Sequence, residues 1–538
     1  MTLSRRTALR MLAAGSASVA LAACAPVAPG TRTLSGQGAT PTAAQNAAPT
    51  APQNSTTASS QPNRGGTLRM GILGDPVSLD PYITGIFGET LTPMFEQLIQ
   101  YDEKLNPLPM LAESWEMNND QTQITLHLRH GVAFHTGREL TSDDVKWNIQ
   151  RGQQPKFTAF QSMTRQLTSV EAPDKYTLIA SADGPWLQVW DMLALMPIID
   201  PVTAQSSDPA TTPVGTGPFK FVEWRQGDHL SFTRHPQYWR TGFPYVDNYT
   251  LPVFSDQQAM SVALESGALD VADGPSISDI VRLKKDPTYQ VLINQLSGSR
   301  AEFALNTANP PLDNKAFRQA LQYALDRQRI ADSVYQGLTS PVDLPFAPSS
   351  PAYDAADDHF YTFDLDRARA LVAASGVTNL SIDFNYSNAS NEAGSTAQIY
   401  QSDLAKIGVS LNLKPLDPVT TNTSIRNVSY NGMITLATLF GQLHPTMEDG
   451  NPLYSAAGTN WSNFRSDAYT ALMRRLDTET DPAQQTAIYA AIRKTILDES
   501  WAITVASTVP AVLMSSHVHG LRYAVEERLV PTEAWLEA

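Results

Sequence analysis

The sequence predicts an α/β protein with more than one lobe, and three observations carry that expectation. The chain has 538 residues, beyond the roughly 250 to 300 that one hydrophobic core organises. Short runs alternate apolar and polar residues with the period of a half-buried strand, and between them lie segments with helical apolar spacing. Capping residues and glycines mark where these segments begin and end. Apolar residues make up 42% of the chain, enough for real cores.

The stretch from Leu111 to Arg151 shows the pattern most fully. Ile124, Leu126 and Leu128 alternate with Thr125, His127 and Arg129, which predicts a strand with one buried face. Gly131 breaks the run, Val132 and Phe134 resume it, and the pair reads as a hairpin. Thr141 is placed to cap the helix that follows, with Asp144 as return partner of a capping box and Val145 and Ile149 on the inner face.

At the N-terminus, Arg5, Arg6 and Arg10 precede a weakly apolar run from Met11 to Ala23, too short for a mature membrane helix and laid out like a secretory signal. Leu21-Ala22-Ala23-Cys24 resembles the lipobox of bacterial lipoproteins, which makes Cys24 a candidate lipid anchor; a chance small-residue run is the alternative. Ser4-Arg5-Arg6 resembles a twin-arginine signal, but Ala8 stands where a bulky apolar residue is usual, so the export route stays open. Residues 25–63 are Ala, Pro, Thr, Ser, Gln and Gly with almost no large apolar side chain, and read as a disordered tether.

In the folded body, Gly65 to Ile72 reads as a first strand, Asp75 to Pro81 as a loop and Glu89 to Gln100 as a helix. Tyr176 to Ala180 reads as a strand, Leu230-Ser231-Phe232 up to Tyr238-Trp239 as hairpin strands, and Trp186 to Leu195 as a short helix. Further helices are expected up to Gly267, over Phe317 to Leu325, from Asp364 to Gly376, before Gly408, around Tyr469 to Leu476 and after Asp481-Pro482. Strands are expected at Phe303 to Asn306, Ser381 to Tyr386 and Trp501 to Val505, the last returning to the first lobe.

Several of these segments carry fixed letters at fixed spacing. They include Gly65-Gly66-Thr67-Leu68, Leu111-Ala112-Glu113-Ser114-Trp115-Glu116, Phe134-His135 with Gly137, Thr141-Ser142-Asp143-Asp144-Val145, Gly215-Thr216-Gly217-Pro218 and Tyr238-Trp239. In these the chain resembles the bacterial extracellular solute-binding proteins of family 5, the peptide- and nickel-type receptors of ABC transporters. The resemblance runs from about Gly65 to near the C-terminus. It implies a bilobal α/β, periplasmic-binding-protein-like fold of type II, the large cluster with an extra small domain. The expected division is 1–24 signal peptide with lipobox, 25–63 tether, 64–108 with 213–299 and 505–538 as a discontinuous outer lobe, 109–212 as the small domain and 300–504 as the second lobe.

The implied function is the substrate-binding component of an ABC importer, which closes two lobes on a peptide or other small or oligomeric solute and delivers it to the permease. No enzyme activity, cofactor or nucleic-acid partner is expected; a monomer anchored by lipid to the outer face of the cytoplasmic membrane is. In the family the residues just after the first loop face the ligand, which makes Tyr82, Ile86 and Phe87 candidates on one side of the cleft; on the other, aromatics and amides in loops expected at its edge add Tyr386, Asn388, Phe440, Gln442, Trp461 and Asn463. Each of these could instead be structural. Trp461 stands out because Asn460-Trp461-Ser462-Asn463-Phe464 resembles a cleft loop of the family. Peptide-binding members pair an aspartate with the ligand's α-ammonium group. The corresponding segment, Leu439 to Pro445, has no carboxylate before Glu448 and Asp449, which brings a neutral ligand such as an oligosaccharide, or a peptide held differently, into contention.

Competing classes leave weaker traces. A net charge of −15 with no Lys/Arg block argues against a nucleic-acid or anionic-membrane surface, and the single cysteine excludes an internal disulfide. A phosphate-binding loop at Gly215 to Lys220 fails for want of a Gly-Lys-Ser/Thr ending and a following helix. A metallohydrolase would have to use His127, His130 and His135 with Glu139, yet alternation points His127 and His130 to opposite faces and no HExxH occurs. Bound metal complexes remain open, since nickel-chelate receptors occur in the family. No Gly-x-Ser-x-Gly elbow is present.

Overall fold

The computed structural model describes residues 61–84, 88–439, 441–449, 453–456, 460–525 and 527–537. The stretches read from sequence as a signal, a lipobox with Cys24 and a tether lie outside them, apart from residues 61–63.

Three sheets organise the described body. The first has seven strands in the order Tyr289–Ile293, Ala511–Ser515, Val271–Asp273, Thr67–Leu73, Asn248–Phe254, His229–Arg234 and Phe219–Arg225. Its opening strand Thr67–Leu73 runs parallel to both neighbours, and the flanking pairs are antiparallel. The second has five strands in the order Ser410–Leu416, Ser381–Ser387, Met433–Thr438, Arg300–Leu305 and Ala502–Ser507. The third, in the order Ala112–Met117, Gln123–Leu128, Thr177–Ala182 and Leu167–Asp174, is wholly antiparallel.

Strand alternation feeds two separate cores from the seven-stranded sheet. Val271, Val512 and Met514 bury with the four-stranded sheet, whereas Ala272 and Leu513 bury with the helices and the five-stranded sheet. Each neighbouring pair thus ties the first lobe to a different partner. The chain passes between the two large sheets twice, through residues 294–299 and 508–510.

The helix after Thr141 forms at Ser142–Gly152, with Val145 and Ile149 fully buried. Its return cap is the Thr141 N–H donating to the Asp144 carboxylate at 2.8 Å. The helix opened by Asp364 runs over Leu365–Ser375 and closes on Gly376 at φ +67°, the left-handed conformation that glycine adopts without strain.

Three expectations fail, each because tertiary bonding overrides local pattern. No hairpin joins Gln123–Leu128 to Val132–Phe134: the strand pairs instead with Ala112–Met117 and Thr177–Ala182. Residues after Gly131 fold on themselves through Leu140 N–H to Val132 O at 2.8 Å. No helix spans Glu89 to Gln100. Turns fill 89–94 and a strand begins at Ile99, because Pro93 interrupts the helix and the Pro93 and Met94 carbonyls accept from Phe219 and Gly217, both at 2.9 Å. That contact also explains the Gly-Thr-Gly-Pro motif: a Cβ on Gly215 would lie 2.3 Å from the Met94 oxygen, and one on Gly217 2.5 Å from the Met94 carbonyl carbon. Finally, Ala502–Ser507 pairs with Arg300–Leu305 in the five-stranded sheet, so the return to the first lobe comes only after Ser507.

Candidate functional site

A cavity of about 630 Å³ lies between the two large sheets, within the range of small-molecule sites. The first lobe supplies Gln257, Gly274, Pro275 and Ile277. The second lobe supplies one end of three strands, at Ala301 to Phe303, Thr435 to Ala437 and Val505, and Thr508 and Val509 come from the second crossing. Helices complete the wall. Ser390 caps Asn391–Ala405 by accepting from the Ala393 N–H, and Asp417 caps Pro418–Arg426 by accepting from the Thr420 N–H, bringing Glu392 and Arg426 to the lining. Arg426 also borders a second recess of about 330 Å³ in the first lobe, between residues 72–78 and 88–91.

The walls mix rigid apolar surface with polar groups. Phe303, Tyr335 and Trp461 are aromatic, while Gln257, Ser387, Ser390, Thr421 and Asn422 offer donors and acceptors. Burial, with a contribution from Glu392, pushes the Tyr335 phenol up to about 12, so it remains a donor at neutral pH. Among the described lining residues Glu302 is the one fully buried carboxyl, 1% exposed, with burial raising it above the usual range and three hydroxyl donors working against that rise.

The residues picked from sequence fare unequally. Trp461 lines the cavity, and its carbonyl accepts from the Tyr430 hydroxyl. Tyr386 and Asn388 flank Ser387, which lines it; Tyr386 packs on the second-lobe core, and Asn388 is exposed with its N–H bonded to Leu416 O at 2.8 Å. Tyr82 does not line it: its buried hydroxyl reaches Asn148 Oδ1 at 3.0 Å and Pro197 O at 3.1 Å. Gln442 is fully buried and its amide donates to Val525 O at 3.0 Å. Its backbone passes so close to the first crossing that a Cβ on Gly298 would lie 2.3 Å from Gln442 N. Asn463, at φ +53°, donates to Asn306 Oδ1 at 2.9 Å. Ile86, Phe87 and Phe440 lie outside the described residues, as do the side chains of Glu448 and Asp449.

Residues 106–465 match the family model described as bacterial extracellular solute-binding proteins, family 5 Middle. The chain belongs to this family. It is therefore a substrate-binding protein of the ABC-importer type. Heme-binding protein A of Haemophilus influenzae is 29% identical over 471 residues, covering 79% of this chain and 84% of that protein. Di/tripeptide-binding protein 1 of Pseudomonas aeruginosa is 26% identical over 507 residues, covering 84% and 90%. Among solved structures, the periplasmic binding protein AgaA from A. tumefaciens R10, in complex with agropinic acid, superposes with a TM-score of 0.76 at 25% identity, over 88% of this chain and 99% of that one.

Within this family 5 protein the histidines singled out from sequence do not make a metal centre. His130 packs on Tyr176 at a tilt, with ring centroids 3.8 Å apart, Glu139 pairs with Lys175, and buried His135 reaches Gly217 O at 3.1 Å. Desolvation and His235 hold the His135 imidazole down near 3. Among the described residues no three His, Cys, Asp or Glu side chains group as a metal requires.

The lining positions that sequence reasoning missed include four ionisable residues, Glu302, Tyr335, Glu392 and Arg426. One of them left a readable trace. Arg300-Ala301-Glu302-Phe303-Ala304-Leu305 places two charges on one face of an otherwise apolar strand, a pattern that calls for a reason beyond packing.

Proposed function

We propose that this chain captures a small solute, of the size of a di- or tripeptide, in the cavity between its two large sheets and hands it unchanged to an ABC permease. The observation that carries this reading is the cavity itself, with walls from both lobes and the lobes joined by two short crossings. A solute touching Ile277 and Gln257 on one wall and Trp461 and Thr421 on the other favours the closed arrangement by its contacts to both. Aromatic faces give rigid contact area at low entropic cost, and the surrounding hydroxyls and amides fix orientation.

The likeness to proteins named for dipeptides, tripeptides and heme supports a compact organic solute without choosing among them. We place Trp461 in the solute contact, with Tyr386 and Asn388 shaping the rim through Ser387. The protein acts as a monomer held to the outer face of the cytoplasmic membrane by a lipid on Cys24. The lipobox-like Leu21-Ala22-Ala23-Cys24 supports that anchor, and no described helix is long and apolar enough to cross a membrane. Membrane fractionation of a Cys24→Ser variant tests the anchor, which is lost if the variant becomes soluble.

A thermal-shift screen of di- and tripeptides, amino acids, oligosaccharides, heme and nickel–histidine complexes tests the solute, since a ligand of the folded state alone raises the melting temperature. Trp461→Ala should weaken the best binder by at least about tenfold, the usual effect of truncating an aromatic anchor. An unchanged affinity would remove the cavity from the solute's path.

A further inference from the structure

The two crossings that join the lobes are held unequally. At the first, residues 294–299, one side chain gathers four donors. Glu527 Oε1 accepts from the Gly298 N–H at 2.6 Å, the Ser299 N–H at 3.0 Å and the Ser297 hydroxyl at 2.8 Å, and its Oε2 accepts from the Ser299 hydroxyl at 2.7 Å. Glu527 stands in the turn between the paired strands Arg522–Tyr523 and Leu529–Val530, and nearby Val525 and Leu529 are buried in the core shared with the four-stranded sheet. Its backbone is left-handed, at φ +61°, a conformation that strains a residue with a Cβ and suits glycine. The second lobe grips the same crossing from the other side. Arg300, 1% exposed, donates to Ser299 O at 3.1 Å and to Phe346 O at 3.2 Å, and Gln442 passes over Gly298 to donate to Val525 O. The second crossing, residues 508–510, rides on the first. The Thr508 N–H donates to Ser299 O at 3.0 Å, and the Asn294 N–H donates to Pro510 O at 2.9 Å. Thr508 and Val509 line the cavity, whereas Glu527 and residues 297–300 do not.

A crossing between two rigid bodies turns where its backbone groups are free to change partners. Here two consecutive N–H groups are bound to a carboxylate and the Ser299 carbonyl to a guanidinium, and bonds to charged groups are stronger than neutral ones. Backbone polar groups out of water must keep partners, so turning this crossing would break several bonds at once. A corner gripped from both lobes cannot part when the cavity opens. The left-handed backbone of Glu527 fits that setting, since such strain persists only where the surroundings impose it and gathers at moving parts.

We propose that Glu527 is the pivot clasp of this protein: it pins the first crossing to the first lobe, so that the second lobe swings about a fixed corner, and it sets how readily the cavity closes without touching the solute. This rests on the reading that the lobes close on a solute. Glu527 is then a positioning residue. Without it the unliganded lobes sample a wider range of openings, fewer of them are aligned for closure, and apparent affinity falls by the same factor for every solute.

Electron-spin distance measurements on the full chain test this, with labels at Val222→Cys in the first lobe and Phe360→Cys in the second, both exposed, and the single native cysteine replaced by Cys24→Ser. Glu527→Gly removes the carboxylate and leaves an unstrained backbone, and should broaden the inter-lobe distance distribution of the unliganded protein about twofold. The double variant Ser297→Ala, Ser299→Ala removes two of the four donors and should broaden it less; if Glu527→Gly does not fold, this variant alone decides. Calorimetry with di- and tripeptides, amino acids, oligosaccharides, heme and nickel–histidine complexes should show Glu527→Gly weakening every binder by one common factor, about three- to tenfold. The pivot is overturned if the folded variants keep the parent's distribution, even with a lower melting temperature, or if the losses differ from solute to solute. Failure of the underlying reading looks different: if none of these solutes shortens the parent's inter-lobe distance, closure itself falls and the pivot with it.

Discussion

Two buried carboxylates, Glu96 in the first lobe and Glu302 in the second, have nearly the same surroundings and opposite settings. Glu96 is 2% exposed and accepts from Thr216 at 2.9 Å, Tyr238 at 2.7 Å and the Trp239 indole at 2.9 Å. Burial raises both carboxyls, and hydrogen bonds work against the rise in both. Glu96, however, lies in the closed knot where Gly215 and Gly217 press on Met94, whereas Glu302 borders the inter-lobe cavity. The contrast teaches that hydrogen-bond satisfaction alone does not tell a carboxylate sealed in a packed knot from one on a strand beside open space. What separates the two residues is that only Glu302 lines the cavity.

Replacing Glu96 breaks the comparison most forcefully. Glu96→Ala strands the buried Tyr238 and Thr216 hydroxyls and the half-buried Trp239 N–H without their acceptor, and should cost about 3 to 5 kcal/mol of stability. Denaturant unfolding would register this as a lower midpoint, while the remaining folded protein keeps its solute affinity. A loss of affinity without a loss of stability would mean that the knot, too, serves the ligand.

Acid sharpens the same comparison, because the histidines that lock the protein sit away from the cavity lining. His135 in the knot is held near 3 and His444 near 4, both by burial, against an ordinary 6.5. Between those values the unfolded chain binds protons that the folded chain refuses. Stability is therefore complete above pH about 6.5 and declines as pH falls toward 3, by several kcal/mol for His135 alone. Glu96 acts in the opposite sense, since its raised carboxyl takes up a proton before the unfolded chain's does. His135→Gln should flatten the decline in a pH series of thermal melts. An unchanged slope would show that the imidazole titrates normally.

How much of this was legible in the sequence depends on whether local pattern or distant contact decides each residue. The helix at Ser142–Gly152 follows from Thr141, Asp144 and two apolar positions, all within one turn or two, and it formed as read. The segment 89–100 could not be read that way, because its shape is set by backbone bonds to Gly217 and Phe219 more than a hundred residues on. The same holds for the site. Trp461, singled out through a motif, lines the cavity, whereas Tyr82, just after the first loop, spends its hydroxyl on Asn148 and Pro197. Glu302 lines a cavity that exists only after separated segments between Gln257 and Val509 meet. Its sequence trace was a charge in an apolar strand, a signal that says a reason exists but not which one.

Arg426 offers the smallest and most selective probe. It is exposed at the last turn of Pro418–Arg426 and borders both the main cavity and the first-lobe recess, carrying the charge opposite to that of Glu302. Being solvated, it contributes little to folding, and Arg426→Gln should change stability by no more than about 0.5 kcal/mol. Its field acts on an approaching solute across water, so the loss should fall on anionic groups and shrink with added salt. Calorimetry of one zwitterionic solute at about 0.02 and 0.3 M salt, in parent and variant, measures that difference over a range where the screening length drops several-fold. A several-fold loss at low salt that fades at high salt would assign Arg426 to steering at the mouth. A loss independent of salt would place its guanidinium in direct contact with the solute.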